Sequence, residues 1–368
     1  MATLPDIATH INLPASRLSL CLSAGAASLS IFVLFKSISN ALKSEYPKII
    51  LSPKDTALPN LSQEEIKSLP YPPDALPGAR NVDSPYGSIR VYEWGPEDGR
   101  KVLFIHGIST PCIALAGMAH KLVDKGCRVM LFDLFGRGYS SAPSPTGPNA
   151  IQYDSRLYAT QILLAITSSP LHWSSFSLIG YSLGGGLAAD FTSYFPRLVS
   201  SLILLAPSGL LRPTHITRTS RLLYSPTTPL PTRLLTHLVA ARLHTGPPTA
   251  TSLAHHAGFV PAFISSLQHA PIHAQQTRWG VIGARLDAQK AAPGDADAAR
   301  EGLEQGKVLL LLGARDAIVL AREVGADAVA VLGEGNVEVR VLEAGHEVPI
   351  ERVEECVEAV WGFWGSEA

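Results

Sequence analysis

Short apolar runs alternate with helical stretches along most of this chain, and that alternation restricts its fold more than any other feature. Runs such as 101–105 (Lys-Val-Leu-Phe-Ile) are almost continuously apolar, which is typical of parallel strands buried on both faces. Similar runs occur at 128–132, 176–179, 202–205, 307–312 and 337–342, while helical stretches occupy 113–125, 153–168, 183–195, 317–332 and 350–364. Residues 88–94 instead alternate like an antiparallel strand. The sequence therefore predicts a doubly wound, mostly parallel α/β sheet.

One interval breaks this alternation. Residues 209–305 separate two strands that should be neighbours, and they are rich in Pro, Leu, Thr, His and Arg. We predict that 209–290 form a largely helical cap over the carboxyl edge of the sheet and that the rest form an exposed connector. The core would then comprise residues 86–208 and 306–365.

The N-terminal segment, residues 1–36, contains an apolar stretch at 18–35 without a charged residue. As a helix this stretch would reach about 27 Å, close to the roughly 30 Å of a bilayer's hydrocarbon core. A membrane anchor fits it best, and a cleaved signal peptide or a buried core helix remain open. The lysines that follow favour a cytosolic catalytic domain, with the secretory pathway as the alternative. Residues 37–85, rich in Pro, Ser and Lys, are predicted to be a tether.

The charge balance excludes one class of partner. The chain has 30 basic and 31 acidic residues and no dense basic cluster, so nucleic acid is not expected as a partner.

Composition also bears on the core and on bound groups. A hydrophobic content of 46% is enough for a sizeable core. Four scattered cysteines without metal-like spacing are predicted to be free thiols. No metal or other cofactor is expected, and the oligomeric state is left open.

The pentapeptide 180–184, Gly-Tyr-Ser-Leu-Gly, is the strongest chemical signal. It follows the apolar run 176–179 and opens a helix, the setting in which a sharp turn exposes a serine at a helix N-terminus. The turn requires residues without side chains on either side of the serine, and glycines continue at Gly185 and Gly186. We therefore predict that Ser182 is a nucleophile.

A serine is inert at neutral pH without a base, and the base needs a carboxylate to orient it. Asp316 follows the run 307–312, and His346 follows 337–342. Because the carboxyl ends of parallel strands share one edge, both side chains should lie near Ser182. Their order, Ser then Asp then His, is the order found in α/β-hydrolases. Other histidines cluster in the cap and are predicted to have packing or surface roles.

An oxyanion that develops during acyl transfer needs backbone N–H donors. One predicted donor is Leu183, the residue after the nucleophile. The other is Ile108, in the loop that follows 101–105. His106 in that loop is predicted to be a packing residue rather than a second base. The glycine-bearing turn at 133–140 lacks the helix-opening arrangement of a phosphate cradle.

These motifs together resemble the α/β-hydrolase superfamily over about residues 85–365. The residues that carry the resemblance are His106-Gly107, 133–140 (Asp-Leu-Phe-Gly-Arg-Gly-Tyr-Ser), 180–184, 313–316 (Gly-Ala-Arg-Asp) and Gly345-His346. The chain is most similar to capped members, such as esterases, monoacylglycerol-lipase-like enzymes, non-haem peroxidases and carbon–carbon hydrolases. A serine at 182 argues against epoxide hydrolases and haloalkane dehalogenases, which use aspartate. The loop reads His-Gly-Ile, unlike the His-Gly-Gly-Gly of many lipases.

The resemblance implies two-step acyl transfer through an acyl-enzyme at Ser182. The apolar cap and the predicted anchor favour a small lipophilic ester as substrate. Two alternatives remain open: C–C bond hydrolysis or perhydrolysis by the same residues, and ligand binding without catalysis. Fold alone does not identify a substrate.

Overall fold

The apolar runs form the strands of a large mixed sheet in a computed structural model of the protein. The structure describes residues 48–212, 230–243 and 255–365, with Ser28, 30–32 and a few positions between 220 and 228. The strands are β1 (Ile49–Ile50), β2 (Arg80–Val82), β3 (Ile89–Trp94), β4 (Lys101–Ile105), β5 (Arg128–Phe132), β6 (Ala142–Pro143), β7 (Phe176–Tyr181), β8 (Val199–Leu205), β9 (Val308–Gly313) and β10 (Val337–Leu342).

Eight of these strands form one sheet in the order β10-β9-β8-β7-β4-β5-β3-β2. Neighbours from β5 to β10 run parallel, whereas β3 is antiparallel to both β5 and β2. Every residue of β7 and β9 is buried. Such strands must be covered on both faces, so the predicted α/β architecture is confirmed.

Helices cover the sheet. They are α1 (Pro53–Thr56), α2 (Gln63–Ser68), α3 (Ala116–Asp124), α4 (Ser155–Thr167), α5 (Leu183–Tyr194), α6 (Thr232–Arg242), α7 (Phe259–His269), α8 (Gln276–Ala291), α9 (Ala296–Glu301), α10 (Ala321–Leu332), α11 (Val348–Glu351) and α12 (Val353–Phe363). One group pairs α3 with α12, and a second places α5 against α4 and α8, with α8 also against α10.

The cap ends earlier in the chain than predicted, because the last helix assigned to it packs with the core. Trp279, Ile282 and Leu286 are buried at helical spacing on α8, which packs against the core helices α5 and α10. Helix α8 therefore belongs with the core rather than with the cap. The insertion leaves and rejoins the core at one neck, where Gly209 N–H donates to the Ile272 carbonyl at 2.8 Å and the Gly209 carbonyl accepts from Gln275 N–H at 3.0 Å. The stretch predicted as an exposed connector contains the short helix α9.

Residues 48–85 differ from the tether that their composition predicted. Strand β1 pairs with β6, and β2 adds an edge strand to the main sheet. Leu58, Tyr71 and Leu76 are buried. The segment contains the short helices α1 and α2, and its buried apolar side chains belong to the main hydrophobic core. We call residues 48–85 the strap.

The predicted membrane anchor, residues 18–35, lies almost entirely outside the described residues and remains a prediction. Among the residues that the structure describes, no helix combines the length and the apolar character needed to cross a bilayer.

A buried carboxylate ties the strap to the core. Asp133 is fully buried, and burial raises the pKa of its carboxyl group. Its Oδ2 accepts from the Tyr71 hydroxyl at 2.9 Å and from Tyr139 N–H at 2.9 Å, while Oδ1 accepts from Cys112 N–H at 3.0 Å. The strap thus supplies, through Tyr71, one of these three hydrogen-bond donors to the Asp133 carboxyl group. A buried carboxyl group is costly unless its oxygens are hydrogen-bonded.

We expect Tyr71→Phe to lower the free energy of unfolding by about 1–3 kcal/mol, because a buried carboxylate oxygen loses a donor. Urea denaturation followed by fluorescence measures the change. Tyr86→Phe is the matched control, since Tyr86 directly follows the strap, is half-buried and makes no hydrogen bond to Asp133 among the described residues. Equal stability of Tyr71→Phe and the wild type would show that the strap contributes nothing through this hydroxyl.

Candidate active site

Ser182 occupies the sharp turn between β7 and α5. Its backbone has φ 53° and ψ −116°, a conformation that non-glycine residues adopt rarely and at an energetic cost. Two backbone hydrogen bonds hold it there: Ser182 N–H donates to the Leu205 carbonyl at 2.9 Å, and the Ser182 carbonyl accepts from Ser208 N–H at 2.9 Å. The strain is located at the side chain predicted to react.

The glycines around the serine allow close backbone packing. A Cβ atom at Gly184 would lie 2.1 Å from the Ile105 carbonyl oxygen, and one at Gly180 would lie 2.3 Å from the Gly184 carbonyl oxygen. Neither position could hold a side chain without displacing backbone. The predicted need for glycines on both sides of Ser182 is therefore confirmed.

Three predicted site residues form one hydrogen-bonded chain. His346 Nε2 lies 3.0 Å from Ser182 Oγ, and His346 Nδ1 lies 2.7 Å from Asp316 Oδ2. Ser182 follows β7, Asp316 follows β9, and His346 follows β10, so all three lie at the carboxyl edge of the sheet. The order β10-β9-β8-β7 brings them together across only four strands.

The carboxylate determines how the imidazole can act. Asp316 Oδ1 accepts from the backbone N–H groups of Ile318 and Val319 at 2.7 and 2.8 Å, which leaves Oδ2 for the histidine. A carboxylate oxygen only accepts, so His346 Nδ1 must carry the proton and Nε2 presents its lone pair to Ser182. This is the tautomer that can remove the serine proton.

Glu351 holds the loop that carries the histidine, a contact that the sequence analysis did not identify. Both of its carboxylate oxygens lie 3.2 Å from Gly345 N–H. Glu351 is on α11, five residues beyond His346. The sequence signal for this contact is an acidic residue that follows the last predicted strand.

The loop after β4 lies against the nucleophile. A Cβ atom at Gly107 would lie 3.4 Å from the Ser182 Cβ, so the predicted oxyanion donor Ile108 is one residue from this contact. His106 orients the peptide that joins Gly107 to Ile108: its Nε2 accepts from Leu134 N–H at 2.8 Å, and its Nδ1 donates to the Gly107 carbonyl at 2.7 Å. A trans peptide then points the Ile108 N–H the opposite way. The predicted packing role of His106 is confirmed.

The second predicted donor, Leu183, is the first residue of α5. The first N–H groups of a helix have no intrahelical acceptor, so this amide is available beside Ser182. The role of both amides as oxyanion donors remains a prediction.

Arg137 links the loop after β4 to the cap. Its buried guanidinium donates from Nε to the Ile108 carbonyl at 3.1 Å, from Nη1 to the Phe135 carbonyl at 2.9 Å, and from Nη2 to Ser266 Oγ of α7 at 2.8 Å. Within the described ranges it forms no ion pair with Asp or Glu. A charge paired only with neutral oxygens is unusual, because desolvation of a cation is expensive. The sequence marked this position only as part of the turn at 133–140.

An apolar cluster from the cap packs on the same loop. Ile108 contacts this cap cluster, whose buried members are Leu223, Leu235, Val239, Leu243, Phe259, Val260, Phe263 and Ile264. Helices α6 and α7 provide most of it. The cap therefore lies on the Ser182 side of the sheet and covers the loop with an apolar surface.

A family model described as the alpha/beta hydrolase fold matches residues 101–353. The match extends over most of the described core and includes Ser182, Asp316 and His346.

Relatives and solved structures are similar over different parts of the chain. A serine hydrolase-like protein from Danio rerio is 32% identical over 133 residues, or 36% of this chain and 38% of that protein. One from Dictyostelium discoideum is 34% identical over 124 residues, or 33% of each chain. The chain thus spans less than two-fifths of the length of these relatives.

A carboxylesterase structure from Nitrososphaera gargenis superposes with a TM-score of 0.54 at 17% identity, covering 78% of this chain and 98% of that one. At such low identity the superposition supports the fold alone. The family model matches more than half of the chain, and this match shows that the chain belongs to the α/β-hydrolase family.

The buried His106 makes stability depend on pH. Burial, reinforced by the Arg137 charge, lowers the pKa of His106 from 6.5 to about 3. In the unfolded chain the imidazole takes up a proton near pH 6.5, whereas the folded one does not until about pH 3. The contribution of the neutral His106 to the free energy of unfolding is therefore fully present above pH 6.5 and is lost as the pH falls toward 3.

We expect His106→Gln to flatten the decline in unfolding free energy between about pH 6.5 and 4 by up to about 1.4 kcal/mol per pH unit, the contribution of one proton. Urea denaturation at several pH values measures the slope. His120→Gln, at an exposed histidine, should keep the wild-type slope. Parallel slopes for His106→Gln and the wild type would contradict the assignment.

Proposed function

We propose that the protein is a serine hydrolase that cleaves a lipophilic carboxylic ester through an acyl-enzyme. The hydrogen-bonded chain from Ser182 through His346 to Asp316 is the observation that carries this proposal. The relatives named serine hydrolase-like support the same class of chemistry.

In the first step, Ser182 Oγ attacks the ester carbonyl as its proton passes to His346 Nε2. Asp316 stabilises the imidazolium that forms, without taking the proton itself. The imidazolium then protonates the departing alcohol, and the acyl group stays on Ser182. In the second step His346 takes a proton from water, the resulting attack releases the acid, and Ser182 is regenerated.

The oxyanion of each tetrahedral intermediate would be held by the Leu183 and Ile108 amides. Such donors contribute about 3–4 kcal/mol each when they are fixed before the reaction begins. The hydrogen bond from His106 to the Gly107 carbonyl and that from Arg137 to the Ile108 carbonyl would fix this loop. Preorganisation here comes from buried side chains outside the reacting set.

The cap cluster supports an apolar acyl group as the substrate's recognition element. Its buried members are all hydrophobic, and it contacts Ile108 at the proposed oxyanion site. C–C bond hydrolysis and perhydrolysis would use the same three residues, and no observation in the structure favours them over ester cleavage. Turnover of simple esters distinguishes the proposal from these reactions and from ligand binding.

We expect Ser182→Ala and His346→Ala each to lower kcat for p-nitrophenyl esters by about 10⁴-fold or more, with little further loss in the double variant, because the residues act as one unit. Asp316→Asn should also be severely impaired, since it favours the wrong imidazole tautomer. Ser193→Ala is the control: Ser193 lies on the same helix, and its hydroxyl donates to the Asp190 carbonyl, its one hydrogen-bond partner among the residues that the structure describes. Wild-type rates in Ser182→Ala would refute the proposal.

We expect kcat/KM to rise from p-nitrophenyl acetate to longer-chain esters, because each added methylene can contact the cap cluster. Val260→Thr, nearly isosteric, should reduce the preference for the long chain by about threefold to tenfold and leave acetate turnover unchanged. Val324→Thr, buried on the core helix α10, is the matched control. A preference for acetate in the wild type would exclude an apolar acyl site.

A further inference from the structure

The cap has an unusual charge composition. Residues 209–275 contain five arginines and no Lys, Asp or Glu. The whole chain has a formal net charge of −1, so the remaining residues together carry an excess of six negative charges. The acid-free stretch extends from residue 191 to 286. This segregation gives the cap a positive charge that the average over the chain conceals.

Helix α6 exposes an apolar face in this positive region. Its inward face carries Leu235 and Val239, which are buried in the cap cluster together with Leu243 just past the end of the helix. On the opposite face, Leu234 and Leu238 are 46% and 39% exposed and stand one helical turn apart. A soluble helix normally places polar residues there, so the core does not explain these leucines.

The exposed face around the two leucines also carries a cation. His237, Ala241 and Arg242 share the exposed face of α6. Arg242 forms no ion pair within the described part of the chain, whereas Arg212 at the base of the cap pairs with Asp327 and Glu323. The face therefore combines apolar side chains with an uncompensated guanidinium.

Two exposed isoleucines lie beyond the carboxyl ends of the strands β9 and β10. Ile318 follows Asp316 and is 59% exposed, and Ile350 follows His346 and is 42% exposed. Both belong to loops or short helices that extend from the carboxyl ends of β9 and β10. Exposed apolar side chains thus also occur close in sequence to Asp316 and His346.

We propose that the outer face of α6 is a docking surface for an anionic phospholipid membrane. An interfacial helix inserts leucines to about 5–10 Å into the headgroup boundary while its cationic residues attract anionic lipids. The phosphate backbone of a nucleic acid could pair with Arg242 but would leave Leu234 and Leu238 in water. Since α6 helps to form the cap cluster that contacts Ile108 in the loop beside Ser182, docking here would present the site to molecules dissolved in the bilayer.

The test must report on the cap itself, because the predicted anchor at 18–35 could attach the chain to vesicles alone. An environment-sensitive NBD fluorophore on Leu238→Cys, in the full chain carrying Cys21→Ser, provides such a report. The other three cysteines are buried. The matched control carries the label on Val341→Cys, which is 54% exposed on the edge strand β10.

We expect the label at 238 to shift its emission to shorter wavelength, and to be quenched by spin-labelled lipid, on vesicles in which about a third of the phospholipid is phosphatidylserine. Both effects should weaken on phosphatidylcholine vesicles and at about 1 M salt, where screening is strong. The label at 341 should change under neither condition.

Several results would overturn the proposal. One is a water-like spectrum at 238 while the chain sediments with anionic vesicles. Another is an equal response to neutral vesicles, which would remove the role of charge. A response without lipid that grows with protein concentration would assign the face to a second copy, and a response to duplex DNA would assign it to nucleic acid.

Discussion

The close backbone packing around Ser182 is the constraint on which the site depends. Glycines at 180 and 184 let β7, α5 and the loop after β4 approach to distances that no side chain would permit. That approach forces Ser182 to a positive φ and places it beside Gly107. The strain is retained because backbone hydrogen bonds from β8 and from Ser208 hold both sides of the turn.

The sheet order does the remaining positioning. Asp316 and His346 are 30 residues apart in sequence, yet β9 and β10 are adjacent and parallel, so their carboxyl ends deliver both side chains to one place. Hydrogen bonds from polar groups then hold the loops: Asp316 is fixed by two backbone amides, Gly345 by Glu351, and the loop after β4 by His106 and Arg137. Ser182, Asp316 and His346 thus follow shortly after strands of the sheet in loops held by hydrogen bonds, the kind of support that preorganised chemistry requires.

The sequence was most informative where local pattern and chemistry coincide. Continuous apolar runs predicted the strands, and strand-end placement brought Ser182, Asp316 and His346 together as expected. It was least informative where burial depends on distant partners. The strap reads as a linker because Tyr71 meets Asp133 only in the folded chain, and α8 reads as cap because it follows the insertion directly while its packing partners, α5 and α10, are distant in the sequence. Arg137 could not be foreseen because its acceptors are carbonyls and hydroxyls, which leave no pattern in the sequence.

The central claim is that His346 and Asp316 activate Ser182 as a nucleophile. Covalent labelling by a fluorophosphonate, with the modified residue located by mass spectrometry, tests it without knowledge of the substrate. We predict stoichiometric modification at Ser182 alone, and a labelling rate that falls by orders of magnitude in His346→Ala. An unmodified Ser182 in the folded chain, or labelling that is indifferent to His346, would contradict the account.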